Sequence, residues 1–86
     1  MQNINDIIEL AKEEYTRASS NYPPFNSAHE GYAVLLEEVE ELKVEVFKSP
    51  KNRDYDLMRK EAIQVVAMGL RFLIDVKPKE NSIEVL

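Results

Sequence analysis

Three stretches of this chain repeat apolar residues at helical spacing, and two proline-bearing breaks separate them. Ile7, Ile8, Ala11, Tyr15 and Ala18 recur three or four residues apart. They predict a first helix over about 5–19, with Asn5 or Asp6 as its cap. Tyr22-Pro23-Pro24-Phe25-Asn26 ends that helix, because paired prolines lack the N–H donors a helix needs and restrict the residue before them. Ser27-Ala28-His29-Glu30 then fits a capping box, with Ser27 as N-cap and Glu30 reaching back. A second helix over about 28–47 follows. Ser49 to Asp54 is the next connector, a third helix covers about 55–76, and Pro78 limits it. The tail, 77–86, reads either as a short extended segment or as disordered.

The helices differ in how much of their circumference is apolar. On a wheel of about 100° per residue, Tyr32, Leu35, Val39, Leu42 and Val46 form one stripe on the second helix. The third helix is apolar nearly all round. From Glu61 to Val76 only Glu61, Gln64, Arg71 and Asp75 interrupt it, within about 80°. Such a helix must be buried nearly all round, and two others from the same chain cannot cover it. A second subunit is therefore expected, most simply by two-fold symmetry, with dimer or tetramer open. The fold class is all-α: one three-helix domain that forms a helical bundle with another copy.

Composition narrows the function classes. With 86 residues the chain is one small domain. It has no cysteine, so thiolate metal sites and nucleophiles are excluded, and its single histidine, His29, excludes a His-rich zinc site. The net charge of −5, without a Lys/Arg stripe, argues against nucleic acid as a partner. An anionic nucleotide stays compatible, because a bound metal inverts the local field. Val65 to Val76 carries Arg71 and Asp75 and is too short to span a bilayer. No basic-then-apolar leader is recognisable. The expectation is a cytoplasmic protein without a membrane partner.

The acids carry the chemistry. Glu38, Glu41 and Glu45 fall within about 60° on the shoulder of the apolar stripe, while Glu37 and Glu40 point further toward water. The run from Glu37 to Glu45, taken alone, reads as a solvated helix face. Like-charge neighbours in it cost about 0.2–0.5 kcal/mol each, which Lys43 and Lys48 partly offset. Glu61 changes the reading, because it begins the apolar, buried stretch of the third helix and a buried acid needs a partner, most simply a divalent cation. Arg71 and Asp75 are either part of such a site or a satisfied i,i+4 pair. His29 points away from Glu38 and reads as a surface or packing residue at the helix start. Tyr15, Tyr22, Tyr32 and Tyr55 read as core or connector packing, and Met58 and Met68 as core.

The arrangement of these residues resembles the MazG-like all-α nucleoside triphosphate pyrophosphohydrolases. Glu38-Val39-Glu40-Glu41 is similar to the family's Glu-x-x-Glu, and Glu61-Ala62-Ile63-Gln64 follows after nineteen intervening residues, where the family has Glu-x-x-Asp. Gln64 is the departure. Leu35 to Leu42 looks like the family's approach to the first pair, Arg71 matches a basic position, and Phe25 matches an aromatic one. Arg59 to Met68 looks closest to small, phage-type members, and the resemblance spans about 26–76.

The resemblance implies Mg²⁺-dependent cleavage of a nucleoside triphosphate, or its deoxy form, to the monophosphate and pyrophosphate, by a homo-oligomer. It assigns Glu38, Glu41 and Glu61 as catalytic metal ligands and Gln64 as a further ligand position, now only a neutral amide. Glu37 or Glu45 would hold a second ion or orient water, and Arg71 would contact a phosphate. The competing classes are a non-catalytic helical dimerisation module and a metal-binding structural bundle.

Overall fold

Asn3, two residues earlier than expected, caps the first helix. Its side chain accepts the Asp6 N–H at 3.0 Å, and Asp6 accepts the Asn3 N–H at 3.3 Å. The reciprocal pair satisfies two of the donors that a helix start leaves free. In the computed structural model, which describes residues 2–77, this helix is α1, Ile4–Asn21. It stops where Tyr22 turns extended ahead of the proline pair.

Ser27 caps α2, Ala28–Val46, by accepting the Glu30 N–H at 3.0 Å. Glu30 does not return to Ser27. Its carboxylate takes the Asn26 N–H at 2.8 Å instead, so the expected box is displaced by one residue. A 3-10 turn, Pro50–Asn52, leads to α3, Tyr55–Asp75. Asp54 caps α3 by accepting from the Leu57 N–H. Arg53 closes the other side of the turn, its Nε donating to the Val46 carbonyl at 3.0 Å. All three helices lie within two residues of the sequence expectation at each end. The expectation for 78–86 falls outside the described residues.

α3 packs against both other helices, whereas α1 and α2 do not pack on each other. The chain is thus an open wedge with α3 as its floor. The buried centre is thin: Ala18, Ala67 and Met68, flanked by Tyr15, Val34 and Leu35. Of the tyrosines expected to pack, only Tyr15 joins this cluster, while Tyr22, Tyr32 and Tyr55 are exposed. Ile8 is exposed too.

The face of α2 that meets α3 is rotated from the predicted stripe. Gly31, Val34, Leu35, Glu38, Leu42, Glu45 and Val46 are buried or half-buried, whereas Tyr32 and Val39 are exposed. Glu38 therefore sits in the middle of the contact face rather than on its shoulder. Gly31 explains the rotation. A Cβ there would lie 2.8 Å from Cδ2 of Phe72 and 3.1 Å from Cδ2 of Phe25, so α2 approaches this closely only where it has no side chain.

The back of α3 is bare. Val66 is 48% exposed, Leu73 65% and Ile74 46%. They fall within about 100° of the helix circumference, so one continuous apolar face lacks cover from the described residues.

Candidate metal centre and adjoining cleft

Glu38 and Glu41 lie one turn apart on α2, and Glu61 lies in the second turn of α3. The packing of the two helices brings one oxygen from each carboxylate within 4.8 Å of the others. Glu38 and Glu61 are half-buried, and Glu41 is exposed. Among the described residues none of the three forms an ion pair with a basic side chain.

Their electrostatics record that crowding. Burial, and then the negative charge of Glu41 and hydrogen bonding with it, raise the Glu38 pKa to about 7, with smaller contributions from Glu61 and Glu37. Glu61 is raised as well, first by burial and then by Glu41, with Glu45 adding and Lys60 opposing. Three anions without a cationic partner form a site that a cation would relax.

The donor set fits a hard divalent ion. All three ligands are carboxylate oxygens, which suit Mg²⁺, Mn²⁺ or Ca²⁺ rather than softer metals. Opposite ligands of Mg²⁺ at about 2.1 Å stand about 4.2 Å apart, within a small side-chain rotation of the observed span.

Glu38 also borders a cleft of about 470 Å³ between α1 and α2, floored by α3. Arg17, Glu37, Gln64, Met68 and Arg71 line it, and the Tyr22–Asn26 connector closes one end. The two remaining acids differ in availability. Glu37 faces the cleft, while Glu45 is held by Lys48 at 2.9 Å.

Arg71 lies deep in the cleft, 5% exposed. Its Nη2 donates to the Pro23 carbonyl at 2.8 Å, and its guanidinium stacks on Phe25 at 4.3 Å from the ring centre. Its Nε is 3.8 Å from Asp75 and has no hydrogen-bond partner. Asp75 in turn accepts the Phe25 N–H at 3.2 Å. Arg71 and Asp75 together tie the connector to α3, and the arginine also faces the cleft.

Sequence reading overlooked Arg17 and Glu14. Arg17 extends from α1 into the cleft, and its Nε donates to both Glu14 oxygens, at 3.1 and 2.9 Å. Their i,i+3 spacing was visible in the sequence, but it is also that of an ordinary surface ion pair. Their place opposite Glu38 depends on how α1 docks on α3.

No protein-family model matches this chain, and neither a curated protein nor a solved structure does.

Proposed function

We propose that this chain is a Mg²⁺-dependent nucleoside triphosphate pyrophosphohydrolase of the MazG-like all-α type, working as a homo-oligomer. The observation that carries the reading is the convergence of Glu38, Glu41 and Glu61 within 4.8 Å beside a cleft of about 470 Å³. Water adds to the α-phosphorus, the bond from that phosphorus to the bridging oxygen breaks, and pyrophosphate leaves with the bonding pair. Glu38, Glu41 and Glu61 would hold Mg²⁺, which would neutralise charge on the polyphosphate oxygens.

The chain's own residues do the rest. Glu37, facing the cleft, orients the attacking water and takes its proton. Met68, Ala18 and Val34 give the cleft an apolar lining that displaces water from the nucleoside. Arg71 holds the Tyr22–Asn26 connector in place over that lining. Glu45 stays paired with Lys48.

The test is incubation of the pure protein with a panel of ribo- and deoxyribonucleoside triphosphates, with and without Mg²⁺, scoring monophosphate and pyrophosphate. Product from at least one nucleotide, only with the metal, is the expected result. Silence across the panel at millimolar Mg²⁺ defeats the reading. In that case the uncovered face formed by Val66, Leu73 and Ile74 favours a non-catalytic helical dimerisation module.

A further inference from the structure

Gln64 stands at the position where the resemblance calls for a metal-ligating Asp, yet it keeps different company. Gln64, Glu14 and Arg17 line a second cavity, of about 440 Å³, between α1 and α3. Gln64 and Arg17 also line the cleft beside Glu38. The two side chains therefore form the wall between the cavities, with Glu14 behind them.

An amide suits this wall and a carboxylate does not. Gln64 offers two N–H donors, and the Glu14 carboxylate already accepts from Arg17 at 2.9 and 3.1 Å. An aspartate at position 64 would set a further negative charge against Glu14. Gln64 and Glu14 line the same cavity side by side, with no hydrogen bond between them among the described residues.

Arg17 differs from Arg71 in being available. Its side chain is 58% exposed, and its Nη1 has no hydrogen-bond partner among the described residues. A guanidinium fixed on one edge by a carboxylate and open on the other is shaped for a phosphate.

We propose that Arg17 contacts the polyphosphate in the cleft, and that Gln64, which shares the wall with Arg17 and Glu14, is a positioning residue for Arg17. This deepens the hydrolase reading and rests on its substrate class. On this view Gln64 is not a metal ligand.

The test measures binding of Mg²⁺ alone and of tripolyphosphate with Mg²⁺ to the full chain by calorimetry, alongside hydrolysis kinetics. The variants are Arg17→Met, Arg17→Lys, Gln64→Met and the Arg17→Met/Gln64→Met double. Arg17→Met is expected to weaken tripolyphosphate binding roughly 10- to 100-fold, the loss of a charge-assisted contact, with Mg²⁺ alone bound no more weakly. Arg17→Lys restores part of that loss. Gln64→Met weakens tripolyphosphate and leaves Mg²⁺ unchanged, and the double is no worse than Arg17→Met, as for residues acting as one unit.

Unchanged tripolyphosphate affinity in Arg17→Met overturns the proposal. So does weakened Mg²⁺ binding in Gln64→Met, or additive losses in the double. A wild type that binds Mg²⁺ but no tripolyphosphate overturns it and leaves the metal centre standing. If the expected binding pattern appears without turnover of any nucleotide, the hydrolase reading fails and the role of Arg17 stands.

Discussion

Glu38 and Glu61 are twenty-three residues apart in the chain and on different helices, yet they present carboxylate oxygens within 4.8 Å of each other. Both have raised pKa values, with burial the largest cause for each. Helix packing has placed the Glu61 charge where it adds to the rise at Glu38, while Glu41 acts on both. That relationship governs how the fold responds to protons and to metal.

Without metal, stability should fall as the pH rises. The sign follows from Glu38, whose pKa is raised from 4.5 to about 7 on folding. Its stabilising contribution is fully present below about pH 4.5 and is lost as pH rises through about 7. Glu61 acts in the same direction. Glu14, whose pKa is lowered, acts in the opposite sense but below that window. Thermal melts from pH 5 to 8 in chelator should show a falling midpoint, and millimolar Mg²⁺ should flatten the curve. A midpoint that rises with pH, or ignores Mg²⁺ at pH 8, would contradict the cluster.

Neutralising either acid should separate folding from activity. Glu38→Gln or Glu61→Gln removes a ligand and a repulsion together. Metal-free stability at pH 8 should rise by about 1 kcal/mol, the scale of one relieved like-charge contact at partial burial. Turnover of the best nucleotide should fall at least 100-fold. Denaturant unfolding and steady-state kinetics on the same preparations test both effects. Wild-type turnover in both variants would show that the acids do not do the chemistry.

Two glycine replacements should move stability in opposite directions. Alanine is the better helix former by about 1 kcal/mol. At Gly69 a Cβ meets nothing within 4 Å, so Gly69→Ala should gain roughly 0.5–1 kcal/mol. At Gly31 the new Cβ would stand 2.8 Å from the Phe72 ring. Overpacking of about 1–3 kcal/mol should outweigh the propensity gain, leaving Gly31→Ala destabilised. Urea midpoints compare the pair, and a stabilised Gly31→Ala would mean that α2 does not approach α3 as closely as described.

The bare face of α3 should be where copies meet. Leu73→Asp and Ile74→Asp each place a charge within the exposed apolar surface of Val66, Leu73 and Ile74. A wild-type oligomer should dissociate in both variants. Light scattering across a hundredfold concentration range reads this directly. A monomeric wild type at the top of that range would show that this surface serves something other than self-association.

The sequence by itself determined what depends on near neighbours. Ser27 is a good cap, the Pro23–Pro24 pair excludes helix, and apolar spacing marks three helices. The ends of α1, α2 and α3 accordingly fall within two residues of expectation. The acids themselves were also visible, because a run of like charges at i,i+3 and i,i+4 is a local feature. Even among local signals, competition left some choices open: Asn3 rather than Asn5 or Asp6 caps α1, and Glu30 turns to Asn26 rather than Ser27.

Only the tertiary structure decided how each helix is turned about its axis. Periodicity placed Glu38 on a shoulder, but the close approach at Gly31 rotates α2 and sets Glu38 in the contact face. The same docking puts Arg17 in the cleft and Gln64 in the wall beside Glu14. A wheel gives the angles between side chains on one helix, but not the direction of a neighbouring helix. That direction is set by which surfaces pack most tightly between residues far apart in the chain.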